Sequence, residues 1–291
     1  MKTPAIFVAH GAPPLLDDAR WMSELNAWAR ALPAPRAVLM LSAHWEERPI
    51  TLGATTTMPL VYDFYGFPTR YYEQRYPAPG APELAKRVHE TLEPVERVVD
   101  EPARGLDHGA YVPLVAMYPK ADVPTLQVSL PSMDPTELFS LGQRLAPLRD
   151  EGVLIVGSGF LTHNLRAMDF SPDSRTPAWA SEFDAWAKDA LERNDVDALL
   201  DYRRRAPGVR LALPTPEHFV PVLVALGAAA DDPVAAVQFP IEGFWGGSAT
   251  RRSVQFGSGE VGRVLLDPPV TPGPKGPGLR LAIRIATPSP G

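Results

Sequence analysis

Five of the six histidines in this 291-residue chain sit where an apolar run breaks into a turn marked by glycine or proline. They are His10 in Phe7-Val8-Ala9-His10-Gly11, His44 in Leu41-Ser42-Ala43-His44-Trp45 and His108 in Gly105-Leu106-Asp107-His108-Gly109. His163 follows Gly157-Ser158-Gly159, and His218 ends Pro214-Thr215-Pro216-Glu217-His218. In an α/β sheet, active-site groups collect at the carboxyl ends of strands, so these segments can converge on one crevice. Neutral imidazoles that converge bind a metal, move a proton, or do both.

The chain has no cysteine, which excludes thiolate metal sites, disulfides and Cys nucleophiles. A metal here must be held by imidazole and carboxylate, a donor set that suits zinc, iron, manganese or copper. His10 and His44 each follow an apolar strand, so their rings are expected side by side on adjacent strand ends, as ligands or as hydrogen-bonded loop residues. His218 is expected in the first turn of a helix behind two prolines, where it could serve as a rigid ligand or as a cap. Glu217 and Glu242 are the nearby carboxylates that could complete a two-histidine, one-carboxylate triad.

His163 leaves what reads as a flexible strand exit that lets its side chain reach a cleft. Gly157-Ser158-Gly159 fits neither a phosphate-binding loop nor a nucleophile elbow. His108 neighbours Asp107, but adjacent Asp and His rarely bond each other, so no dyad follows from that order. His89 lies in a solvated helical pattern and is read as structural. The run Val61-Tyr62-Asp63-Phe64-Tyr65-Gly66-Phe67-Pro68 reads equally as a self-anchored loop or as a wall of an aromatic pocket, with Asp63 as a polar handle.

The elements that must position these residues form an α/β pattern. Short runs at residues 5–9, 37–43, 125–130 and 153–156 are apolar on both faces, as in a parallel sheet covered by helices. Trp21, Leu25, Trp28 and Leu32 mark one amphipathic helix, and Leu138, Leu141, Leu145 and Leu148 mark a second after Asp134-Pro135. A third covers residues 179–191, and a fourth begins near Glu217. Further strands are expected at residues 234–240 and, pairing at an edge, at residues 253–256. The expected fold is a single α/β domain, a central mostly parallel sheet flanked by helices, over residues 1–257. Residues 258–291 read as a Pro/Gly-rich tail that could pack one strand at residues 279–285.

A net charge of −6 without a basic block argues against nucleic acid or an anionic membrane as partner. No apolar run approaches the roughly 18 residues of a membrane span, and no leader pattern opens the chain, so a cytoplasmic location is expected.

Taken in order, the segments resemble the class III extradiol ring-cleaving dioxygenases of the DOPA-dioxygenase type. The residues that carry the resemblance are His10-Gly11, Ser42-Ala43-His44-Trp45, Tyr62-Asp63-Phe64-Tyr65-Gly66-Phe67-Pro68 and Tyr76-Pro77-Ala78-Pro79-Gly80. Asp107-His108-Gly109, Gly157-Ser158-Gly159, His163-Asn164-Leu165-Arg166, Pro214-Thr215-Pro216-Glu217-His218 and Glu242-Gly243 complete it. It spans roughly residues 4 to 257.

The resemblance implies one divalent metal per chain, held by His10, His44 and His218. It also implies His163 as the acid/base group and His108 as a second polar contact to substrate or oxygen. Fe(II) is the metal expected for activity, with zinc common in family members as isolated. The implied partners are a small aromatic diol and O2, with Trp45, Arg166 and the aromatic loop as candidate substrate contacts. Two other readings use the same residues. One is a zinc hydrolase with Glu217 or Glu242 as base; the other is a non-catalytic metal-binding scaffold.

Overall fold

The computed structural model describes residues 2–232 and 237–257 of the chain. From the N-terminus come β1 (Ala5–Ala9), α1 (Ala19–Ala31) and β2 (Ala37–Glu46), then β3 (Ile50–Leu52), α2 (Pro82–Leu92) and β4 (Val98–Asp100). α3 (His108–Met117), β5 (Thr125–Leu130), α4 (Pro135–Leu145) and β6 (Val153–Gly159) follow. Next are α5 (Ala178–Glu192), the short helices α6 (Val196–Leu200), α7 (Tyr202–Arg205) and α8 (Val209–Ala212), and then α9 (Pro221–Ala228). β7 (Val237–Ile241), β8 (Phe244–Trp245), β9 (Ala249–Thr250) and β10 (Ser253–Phe256) end the described chain.

Eight strands make one sheet in the order β4-β3-β5-β2-β6-β1-β10-β7. Its centre, β5-β2-β6-β1, is parallel throughout, while β3 and β10 join that centre antiparallel. Strand alternation then divides the core in two. Phe7, Leu39, Leu41 and Ile155 face a layer with α2, α4, α5 and α9. Ile6, Val8, Val38, Met40, Leu154 and Val156 face the opposite layer, against Trp21, Leu25 and Trp28 of α1 and Tyr111, Val112 and Leu114 of α3. Burying each such side chain contributes roughly 1.5–3 kcal/mol, so helices must cover both faces of the sheet.

The expected α/β sandwich is therefore present, with four corrections. β1 and β2 are not neighbours: β6 pairs with both and runs between them. β10 is an interior strand between β1 and β7, because both of its edges find backbone partners. The helix expected near Glu217 begins at Pro221, leaving His218 in the turn before it. Leu148 lies beyond α4, in a 3-10 segment. The expected strand at 234–240 is present from Val237, and its first residues, 234–236, lie outside the described residues, as do the tail and its strand at 279–285. Among the described residues, no helix is long and apolar enough to cross a membrane.

Candidate metal centre

Three of the histidines are delivered by three different backbone devices. His10 follows β1 directly and continues its pairing, its amide donating to the Gly159 carbonyl at 3.2 Å. His44 lies inside β2, where the register against β5 shifts between Leu41 and Glu46; such irregularities turn side chains away from the regular pleat. His218 lies in the turn before α9, which crosses closely over β6. That approach explains Gly157 and Gly159: a Cβ on Gly157 would lie 2.1 Å from the Pro221 carbonyl oxygen, and one on Gly159 would lie 2.0 Å from that of His218. Gly157-Ser158-Gly159 is thus buried strand made bare on one face, and not the flexible exit its composition suggested.

Candidate ligand nitrogens of His10, His44 and His218 lie within 4.8 Å of one another. Their other ring nitrogens are all engaged. Ser158 Oγ donates its proton to the Gly109 carbonyl, so at 3.1 Å from His10 Nδ1 it can only accept. His44 Nδ1 is 3.2 Å from Asp63 Oδ2, and His218 Nδ1 is 2.9 Å from Glu217 Oε1. Each pairing puts the ring proton on Nδ1 and leaves Nε2 with a free lone pair. The Nε2 atoms of His10 and His44 face each other at 3.2 Å, a spacing at which two lone pairs repel unless a cation lies between them. Three neutral, oriented imidazoles of this kind fit a divalent transition metal.

Around this set the electrostatics are divided. Burial first, then the charges of neighbouring histidines, holds His10 and His218 well below the ordinary imidazole pKa. Burial also opposes the charged form of His44, but the hydrogen bond and charge of Asp63 outweigh it and the pKa is raised. Asp63 accepts from His108 Nδ1 at 2.7 Å and from the His108 amide at 3.1 Å, and it stays ionised far below the usual carboxylate range despite burial. The His44 and His108 rings lie 3.9 Å apart between centroids. His163 stacks on His218, 3.5 Å between centroids and 12° from parallel. Burial, then His44 and His108, pushes its pKa down to about 3.

All five histidines line one cavity of about 380 Å³. Its remaining walls are mainly apolar and aromatic: Phe64, Tyr65, Phe67, Phe160, Leu165, Met168, Phe170 and Trp245.

The family model for the catalytic LigB subunit of aromatic ring-opening dioxygenase matches residues 8–247, a span that contains every one of these groups. The chain belongs to this family. It is 41% identical over 260 residues to 4,5-DOPA dioxygenase extradiol of Beta vulgaris, covering 87% of this chain and 96% of that protein. To the enzyme of the same name from Escherichia coli strain K12 it is 39% identical over 264 residues, 88% of this chain and 95% of that one. A crystal structure of an uncharacterized Escherichia coli K12 protein, 37% identical, superposes with a TM-score of 0.75 over 88% of this chain and 100% of that chain. As a LigB-type protein this chain is a metal-dependent aromatic ring-opening dioxygenase, acting on an aromatic substrate with O2, as the resemblance implied.

Within this LigB-type site the structure sorts the residues the sequence singled out. His10, His44, His108, His163 and His218 come together, and His89 does not: it bonds Glu93 and Asp100 on the surface of α2. Glu217 reaches the site by orienting His218, and it also accepts from Thr215 Oγ1 at 2.9 Å. Glu242 does not reach it, being an exposed partner of Arg252 Nη1 at 2.6 Å. Trp45 is buried beneath the Arg104 guanidinium, 4.4 Å from its ring, and Arg166 is exposed; neither lines the cavity. The aromatic loop fits both of its readings, since Tyr62 packs on Phe64 and Tyr111 while Asp63, Phe64, Tyr65 and Phe67 line the cavity.

Sequence reasoning missed the double duty of Asp63. It also missed α3, whose cap is Asp107: the carboxylate accepts from the Ala110 amide at 3.1 Å and from Gln127 Nε2. That cap sets the helix start at His108. Gly109 is required next, because a Cβ there would lie 2.3 Å from Ser42 Oγ and 2.9 Å from His44 Cδ2. The Asp-His-Gly order therefore reads as cap, polar side chain and close approach.

Asp63→Asn removes the charge that orients both His44 and His108 while keeping the shape. Metal affinity is expected to fall about 10- to 100-fold, the usual effect of losing such a partner. Competition with a chromophoric chelator measures it, and unchanged affinity would show that Asp63 does not support the ligand set.

In the metal-free protein the neutral histidines also predict acid sensitivity. Unfolded, they protonate near ~6.5; folded, His163 resists until about 3, and His10 and His218 are likewise depressed. The unfolded chain binds more protons below ~6.5, so stability falls with pH there by up to about 1.4 kcal/mol per unit for each such group. His108 is lowered as well, while His44 and His89, with raised pKa values, work in the opposite sense, two groups against four. Urea unfolding of stripped protein between pH 7.5 and 4.5 tests this, and a flat profile would contradict it.

Proposed function

We propose that this protein opens the ring of a vicinal diphenol beside its two hydroxyls. In this reading His10, His44 and His218 hold one divalent metal through Nε2, with Fe(II) as the metal that sustains turnover. The observation that carries the reading is the set of Nδ1 partners, Ser158 Oγ, Asp63 Oδ2 and Glu217 Oε1, which leaves three lone pairs converging on the cavity. Fe(II), when bound, supplies a redox-active centre that can couple a singlet diol to triplet dioxygen, whereas zinc supplies only polarisation.

The protein's own groups supply proton transfer and placement. His163 is neutral at working pH and has no hydrogen bond to its ring nitrogens among the described residues, so one of them can accept a diol proton. A substrate anion beside the ring raises its proton affinity, which suits it to return that proton when the ring opens. His108 has its Nδ1 proton on Asp63, which leaves Nε2 as an acceptor or, once protonated, a donor toward substrate or oxygen. Phe64, Phe160 and Trp245 give the cavity apolar walls beside the histidines. The hydrolase reading loses its candidate bases, since Glu217 is engaged by His218 and Thr215 and Glu242 by Arg252.

The test is oxygen uptake by protein stripped of metal and reloaded anaerobically with Fe(II) or zinc, across a panel of catechols. Uptake with a new visible absorption band in the iron form alone is the expected result. Silence of the fully iron-loaded protein with every diol would overturn the reading.

A further inference from the structure

The connection from β3 to α2 runs over residues 53–81 and contains no strand and no helix beyond a 3-10 turn at Thr69–Tyr71. Connections of that length inside a compact domain are uncommon, and they are usually binding loops or lids. This one supplies Asp63, Phe64, Tyr65 and Phe67 to the cavity. Two of its hydrogen bonds brace it internally: the Tyr62 hydroxyl donates to the Gln74 carbonyl at 2.7 Å, and the Tyr72 hydroxyl to that of Phe64 at 3.4 Å. Those bonds hold the loop's shape. They do not place it against the histidines.

Placement comes from two carboxylates. On the inner side Asp63 accepts from His108 Nδ1 at 2.7 Å. On the outer side Asp17 accepts from the Tyr71 hydroxyl and, at 2.7 Å, from Arg70 Nη2. Asp17 is a fixed post. It ends a 3-10 segment, Pro13–Asp17, that buries Leu15, and the next residue, Asp18, caps α1 by accepting from the Trp21 amide at 2.9 Å. Gly11, Ala12 and Pro13, on the way from His10 to that post, line the cavity themselves.

Tyr71 is only 4% exposed, and its ring carries the constraint inward. It meets Phe67 edge-on at 6.1 Å between centroids, Phe67 meets Phe64 at 5.6 Å, and Phe64 meets His108 at 5.7 Å. The hydroxyl matters more here than the guanidinium. Arg70 and Asp17 are both exposed, and an exposed ion pair contributes little. A hydroxyl already fixed on a buried ring, donating to a carboxylate, makes a charge-assisted bond with little ordering left to oppose it.

We propose that Asp17 and Tyr71 form a latch that sets the position of the cavity's aromatic wall, and that both are positioning residues for substrate binding. The proposal rests on the ring-opening reading, in which the diol lies against that wall.

Tyr71→Phe keeps the ring against Phe67 and removes only the hydroxyl, while Asp17→Ala removes the acceptor. Binding of 4-methylcatechol and of DOPA to the full-length, zinc-loaded protein is measured by calorimetry, and turnover of both in the iron form. Each variant is expected to raise Kd and KM roughly three- to tenfold, the scale of a hydrogen bond to a partly exposed charged group. Zinc content should be unchanged and kcat should stay within about twofold, because the histidines keep their own partners. The double variant should match the single ones, since one bond can be broken only once. A lower Tm with Kd and KM unchanged would overturn the proposal by making the pair merely structural. Additive effects, a fall in kcat alone, or no binding of either diol by the unaltered protein would overturn it as well. If both variants weaken binding but the iron-loaded unaltered protein consumes no oxygen with any diol, the latch stands and the ring-opening reading fails.

Discussion

Replacing His44 by alanine is expected to strip the protein of metal and of ring-opening activity together. His44 Nε2 lies 3.2 Å from His10 Nε2, so its loss leaves two ligand atoms where three converge. The damage extends outward, because Asp63 then loses one of its two imidazole partners and its charge is balanced by His108 alone. The fall in affinity should exceed the ~10- to 100-fold attached to a lost supporting hydrogen bond, since here a ligand itself is removed. Elemental analysis after gel filtration measures it directly. Stoichiometric metal in His44→Ala would remove His44 from the ligand set and turn attention to the grouping of His163, Glu217 and His218. That grouping is disfavoured because Glu217 already accepts from His218, the ring with which it would share the metal.

His163→Ala should behave in the opposite way, keeping its metal and losing turnover. The ring is stacked on His218 and borders the cavity, yet it is not needed to complete the three-nitrogen set. Removing a positioned acid/base group typically costs ~100- to 10,000-fold in rate. The expected signature is therefore a large fall in kcat with metal content unchanged, and loss of the pH limb that reports this imidazole. Normal turnover would end the acid/base assignment. Metal loss would instead make His163 a ligand.

Much of the fold and of the site is legible in the amino-acid order. Apolar runs at residues 5–9, 37–43, 125–130 and 153–156 dictate strands by local composition alone, and Asp134-Pro135 dictates a helix start because an acceptor and a fixed φ satisfy its first turn. Histidines placed where those strands end follow the same logic, so the cluster can be anticipated from where each apolar run stops. Asp63 is visible in the same chain, but only as a carboxylate in an aromatic loop. Its partners, His44 and His108, lie 19 and 45 residues away, and sequence order does not disclose which rings it meets.

The residues misplaced by sequence reasoning share one cause. Glu242, Trp45 and Arg166 sit beside motif residues in sequence yet point to Arg252, to Arg104 and to solvent. Helix and strand periods decide which face a residue occupies; they do not decide what stands opposite that face.

By itself, then, the sequence determined the strand-and-helix alternation, the absence of thiol chemistry, the five convergent histidines and the ring-opening family, because each follows from local pattern or from residue identity. Only the tertiary structure decided that β6 separates the strands bearing His10 and His44, that Gly157 and Gly159 are bare to admit the His218 turn, and that Asp63 ties His44 to His108. Those are relations between distant segments, set by strand order, sheet register and close packing, none of which a local pattern discloses.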